Sequence, residues 1–171
     1  MIKTEPYVIL PNFTGSKKKE VIHNQQIRHK EKYSFYQKAF DFIYEHKMVG
    51  DYFEFGVHKA RTFRFALSEA NAKNMNMNFF ALDSFNGLPN YKDNLLQNPN
   101  WKPQMLKTSI SDFNSLIKKY KKNLKVNIIE GFYSQHLTNG KLKKSSILNR
   151  KFKKNKSSFI CVDCDLMQSV E

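Results

Sequence analysis

The chain has 171 residues, is 40% hydrophobic and 14% aromatic, and carries 29 basic against 15 acidic residues for a net charge of +14. That length and apolar content fit one folded domain with a real core and argue against disorder. No apolar run approaches the roughly 20 residues that span a bilayer, and residues 1–6 open neither an apolar h-region nor a secretory cleavage site, so a cytoplasmic protein without a membrane span is expected.

Residues 1–32 lack clear periodicity, contain Pro6, Pro11, Gly15 and Lys17-Lys18-Lys19, and read as an N-terminal arm or lid ahead of a domain over 33–171. From Tyr33 to about His46, Phe35, Ala39, Phe42 and Ile43 recur at helical spacing and predict a helix that packs on a sheet. A first strand is expected within 50–57, followed by a helix carrying Phe63, Phe65, Ala66, Leu67 and Ala70. A second strand runs from Phe79 to Asp83, where Gly87 and Pro89 forbid a regular helix. Residues 91–103, with Pro99, Trp101 and Pro103, are long for a bare strand-to-helix connection and read either as a substrate loop or as a surface excursion. Ser111 or Ser109 can cap a helix through Phe113, Leu116, Ile117 and Tyr120. A third strand starts at Lys125, a basic solvated helix is expected over 134–156, and a fourth strand ends near Asp165-Leu166.

Alternating strands and helices predict an α/β fold with a parallel, Rossmann-like sheet and flanking helices. Open parallel sheets bind ligands beyond the carboxyl ends of their strands. Acids and glycines gather at those ends: Glu54 and Gly56, Asp83, Glu130 and Gly131, Asp163 and Asp165. A glycine after the first strand lets a ligand approach the backbone, and an acid at the second strand end can accept both hydroxyls of a ribose. A turn-capping Asp83 is the plainer alternative. His58 and His136 lie near these ends, as surface or packed histidines or as bases.

The lysine clusters at 17–19, 118–122 and 141–156 suit an anionic partner. Arginine, the usual reader of phosphates and bases, stands only at Arg28, Arg61, Arg64 and Arg150, which argues against nucleic acid. High Lys, Asn, Ile and Phe also follow from an AT-rich coding sequence. Cys161 and Cys164 flank Asp163 inside an apolar run, where neighbouring side chains point to opposite faces. Two reduced thiols are expected, and neither a redox pair nor half of a zinc site.

Glu-Phe-Gly-Val at 54–57, Asp-Ser-Phe-Asn-Gly-Leu-Pro at 83–89, Glu-Gly-Phe-Tyr at 130–133 and Val-Asp-Cys-Asp-Leu at 162–166 resemble the macrocin O-methyltransferase family over residues 33–171. These are class I S-adenosylmethionine-dependent methyltransferases acting largely on sugar hydroxyls. The resemblance implies that Glu54 and Gly56 contact the methionine side of the cofactor and that Asp83 holds its ribose. Ser84 and Phe85 would border the adenosine, and Gly131 and Phe132 the adenine. It also implies a Mg²⁺ ion bound by Asp163, which doubles as the catalytic base, with Asp165 either a second ligand or a capping residue. The implied acceptor is a small molecule, a sugar or glycoside. The chain departs from the family at Ala60-Arg61, where the family carries Gly-Gly or Gly-Ser, at Gln135-His136-Leu137 and at Met167. The later acids of the family's metal site find no counterpart. The chain therefore reads as the front part of a longer domain whose C-terminal strands are missing, with a bare sheet edge that favours self-association. A non-catalytic cofactor-binding or basic anion-binding module is the alternative.

Overall fold

A computed structural model describes residues 16–88, 103–132, 136–138, 141–142 and 156–163. Helix α1, Lys17–Glu45, contains neither glycine nor proline along its 29 residues. It starts well before Tyr33, where the sequence places it, because residues 17–32 carry no apolar stripe for periodicity to detect. Its buried face is also rotated by one residue from the expected one. Tyr36, Phe40 and Ile43 are buried, whereas Phe35 and Phe42 are 60% and 54% exposed. The buried aromatics lie on the sheet: the Tyr36 and Phe40 rings sit 5.3 and 5.8 Å from Phe159, and Phe40 sits 6.2 Å from Tyr52.

Strand β1 (Asp51–Phe55), helix α2 (Arg61–Ala72), strand β2 (Asn78–Asp83), helix α3 (Ile110–Lys121) and strand β3 (Lys125–Glu130) follow in order. Ser109, one of the two expected caps, opens α3 by accepting the Asp112 amide at 3.1 Å. Residues 137–138 and 141–142 form strands β4 (Leu137–Thr138) and β5 (Lys141–Leu142), an antiparallel pair, where the sequence reading expects helix. Asn139-Gly140, a dipeptide favoured in two-residue hairpin loops, stands between them in the sequence, a local signal that the helix expected over 134–156 does not take into account. Strand β6 (Ser157–Val162) completes the main sheet.

That sheet has the order β3-β2-β1-β6 and is parallel throughout. Period-two alternation divides its side chains. Tyr52, Phe79 and Ala81 join Phe63, Ala66 and Leu67 of α2 and Phe113 and Ile117 of α3 in the larger core, which also takes in the buried face of α1. Phe53, Phe80, Leu82 and Ile129 form a second cluster on the other face, with the Phe53 and Phe80 rings stacked at 4.5 Å. On β6 this second face is open, with Ile160 and Val162 52% and 54% exposed. Glycine is required where β1 begins, because a Cβ on Gly50 would lie 2.5 Å from the Ser158 amide nitrogen. The fold is thus α/β, with a four-stranded parallel sheet and helices packed against it, as the alternation predicts. No helix among the described residues is long and apolar enough to cross a membrane.

Candidate functional site

The order β3-β2-β1-β6 places a topological switch point between β1 and β6. From β1 the chain builds outward through β2 and β3, then returns to the other side of β1. In open α/β sheets the crevice beyond such a point is where ligands bind. Backbone bonds hold the four strand ends in one layer. The Gly56 amide donates to the Leu82 carbonyl (2.8 Å), the Gly131 amide to the Asp83 carbonyl (3.0 Å) and the Asp163 amide to the Phe55 carbonyl (2.9 Å). Gly56 and Gly131 have φ of 84° and 136°, conformations that suit glycine. The predicted residues Glu54, Gly56, Asp83, Gly131 and Asp163 therefore share one edge of the sheet, while Asp165 lies outside the described residues.

Glu54 is fully buried among α1, α2 and β1. The Tyr52 hydroxyl donates to its Oε2 (2.5 Å) and the Thr62 hydroxyl to its Oε1 (2.6 Å), while the Tyr36 and Tyr52 hydroxyls meet at 3.2 Å. Burial pushes the Glu54 acid up to about 8, against the pull of the Thr62 and Tyr52 hydrogen bonds; Asp163 raises it further and Lys32 lowers it. Burial also raises the Cys161 thiol to about 11, aided by the charge of Glu54. Cys161 is a free, half-buried thiol, as the sequence suggests, and Cys164 lies outside the described residues.

Asp83 organises the loops around it. Its Oδ2 accepts the Val57 and His58 amides at 2.9 and 3.1 Å, and its Oδ1 accepts the Phe85 amide at 2.8 Å. A carboxylate has about four acceptor positions, and the described residues fill three of them. Ser84 closes the following turn, donating to the Gly87 carbonyl at 2.9 Å. Phe85 is buried with its ring 5.6 Å from Phe113 and so belongs to the core. The stretch 91–103 lies outside the described residues apart from Pro103, but its base is closed. The Leu88 amide donates to Met105 and the Gln104 amide to Leu88, both at 2.9 Å. His58 proves to be a packed histidine. Its Nδ1 sits 2.6 Å from the Leu106 carbonyl, which only accepts, so Nδ1 carries the proton.

The residues that the sequence reading misses come from the early half of α1. Lys32 Nζ lies 3.1 Å from Asp163 Oδ2, and His29 contacts Arg61 at the start of α2. Partial burial and then the charges of Arg61, Arg28 and Lys32 lower the His29 pKa. These contacts span 131 and 32 positions, and no local pattern encodes them. Among the described residues no group of three His, Cys, Asp or Glu side chains could hold a metal. Asp163 is engaged by Lys32 and both Glu54 oxygens are used, so the described residues do not fit the octahedral oxygen shell of Mg²⁺. A cleft of about 440 Å³ lined by Asn71, Asn74, Asn76, Asn78 and Asn123 lies at the opposite, amino ends of β2 and β3, remote from these acids.

The chain matches no family model and no curated protein.

Proposed function

We propose that the carboxyl ends of β1, β2 and β6 bind S-adenosylmethionine and that the chain is a methyltransferase domain of class I architecture acting on a hydroxyl of a small molecule, a sugar or glycoside. The observation that carries this reading is the switch point itself: Gly56 with positive φ after β1, Asp83 at the end of β2, and Asp163 across the crevice at the end of β6. When bound, the cofactor supplies an electrophilic methyl group on a sulfonium, which an oxygen nucleophile displaces in line.

The chain's own residues serve that chemistry by placement. Gly56 keeps the first turn free of a side chain where the cofactor's backbone contacts fall. Asp83 fixes the 57–58 and 85 amides and offers its remaining acceptor position to a ribose hydroxyl. Gly131 and Phe132 border the adenine side. Asp163, 47% exposed, accepts the proton of the acceptor hydroxyl as the new O–C bond forms and the S–C bond breaks.

A non-catalytic cofactor-binding protein is the second reading, favoured by the engagement of Glu54 and Asp83 within the protein itself. Calorimetry with S-adenosylmethionine and S-adenosylhomocysteine tests the shared part: saturable binding supports both readings, and none at millimolar ligand removes both. Methyl transfer to a panel of sugars, abolished by Asp163→Asn, separates the enzyme from the binder.

A further inference from the structure

We infer that Lys32 is the resident cation of the strand-end acids and takes the place beside Asp163 that a divalent metal would hold. The inference rests on the reading of Asp163 as part of the ligand site. Lys32 Nζ meets Asp163 Oδ2 at 3.1 Å, with the two side chains 53% and 47% exposed, so the pair is open to a ligand. Its position is built rather than incidental. Asp163 is locked to β1 through its amide at Phe55, and α1 is anchored by Tyr36 and Phe40, one and two turns after Lys32. Glu54, one residue before Phe55, responds to both partners: Asp163 disfavours its ionisation and Lys32 favours it.

The chemistry suits a lysine better than a metal. Magnesium accepts about six oxygens in near-octahedral geometry and needs several anchored donors. The described residues offer one exposed carboxylate at this point. An ammonium is a compact point charge with three donors and is satisfied by one carboxylate, leaving two donors for an acceptor's oxygens. Lys32 thus supplies positive charge and hydrogen bonds to the acceptor hydroxyl at the position beside Asp163.

Paramagnetic broadening by Mn²⁺ alone, read in the amide spectrum of the full 171-residue chain, tests this without any turnover assay. In the wild type, millimolar Mn²⁺ should produce no saturable broadening centred on Phe55, Gly56 and Asp163. Lys32→Asp, which puts a second carboxylate where the ammonium stood, should gain such broadening, and Mg²⁺ should compete it away. Lys32→Ala controls for loss of the lysine, and well-dispersed spectra confirm that the variants fold. Saturable, Mg²⁺-competed broadening at Asp163 in the wild type would overturn the inference, because the metal then displaces Lys32. No gain in Lys32→Asp would also overturn it, because the place beside Asp163 is then no cation position. Either failure leaves cofactor binding, measured separately by calorimetry, untouched.

Discussion

The Tyr52 hydroxyl reaches the Glu54 carboxyl at 2.5 Å, and both side chains are fully buried. Both residues sit on β1, two positions apart on the face covered by helices, so the strand carries its acid and one of that acid's donors in the same register. An acid held there is easier to keep protonated than ionised.

Stability should therefore depend on pH through Glu54. Its folded pKa, about 8, lies above its ordinary value of 4.5. Below the ordinary value both states are protonated and the contribution is fully present. As pH rises towards 8 the unfolded chain releases its proton while the folded one retains it, and the contribution is lost. The expected loss is on the order of a few kcal/mol across that window. Denaturant unfolding of the wild type and Glu54→Gln between pH 5 and 8 (about the span of the shift) checks it: the variant should show a flatter profile, and parallel profiles would contradict the assignment.

The rotated face of α1 separates two phenylalanines five residues apart. Phe40→Ala should destabilise the fold by about 3–5 kcal/mol, since it empties a buried site against Tyr52 and Phe159. Phe35→Ala, at a ring 60% exposed, should stay within about 1 kcal/mol. Chemical denaturation of both distinguishes the observed face from the one predicted by periodicity, which makes Phe35 the inward residue.

Ala60 precedes α2 with φ 55° and ψ 27°, a left-handed conformation, and is wholly buried. Replacement by glycine removes the penalty that a Cβ carries in that conformation. Ala60→Gly should raise stability by about 1 kcal/mol, the reverse of the usual effect of adding glycine. A lower melting temperature would show that the alanine methyl packs more favourably than the backbone is strained.

Gly87 makes the opposite case. Its φ is +80°, and a Cβ there would lie 2.5 Å from the Met105 carbonyl oxygen. Gly87→Ala should cost about 1–3 kcal/mol and loosen the pairing of Leu88 with Gln104 and Met105. Faster amide exchange at Leu88 and Gln104 is the local readout.

Asp83→Ala removes the acceptor for three backbone amides as well as the proposed ribose contact. Cofactor affinity should fall by about 1–3 kcal/mol, and global stability should fall by a similar amount because the amides of Val57, His58 and Phe85 lose a charged partner. Calorimetry and unfolding read the two effects separately. Lost stability with unchanged affinity would make Asp83 a loop organiser alone.

The strand ends were legible because each joins a short apolar run to an acid or glycine, a local pattern with a physical cause. Parallel pairing followed from the helices between the strands. The first half of α1 was not legible, since residues 17–32 fold as helix without a stripe that signals burial. The antiparallel pairing of 137–138 with 141–142 was hidden by a lysine-rich context that favoured helix. Glu54, Gly56, Asp83 and Asp163 were readable as neighbours at the strand ends, but the closure of Glu54 by Tyr52 and Thr62 was not. That closure depends on which face of β1 the helices cover, and the salt link from Lys32 depends on the reach of a helix whose start the sequence conceals.

Strand β6 joins β1 across more than a hundred residues, with Asp51 opposite Ser157 (157 − 51 = 106), whereas among the described residues β1, β2 and β3 follow one another with a single helix between each pair. Chain closure over that distance comes late, because its entropy is lost before any contact rewards it. The two sides of the crevice should therefore assemble at different times: Gly56 and Asp83 with the early β1–β2–β3 unit, Asp163 only when β6 docks. In the native ensemble the same asymmetry predicts an opening in which β6 detaches first, so pulse-labelled hydrogen exchange should reach the β6 amides before those of β2. A chain caught in that state would keep the glycine turn and Asp83 while lacking Asp163, so only one side of the crevice would be in place before the last strand docks.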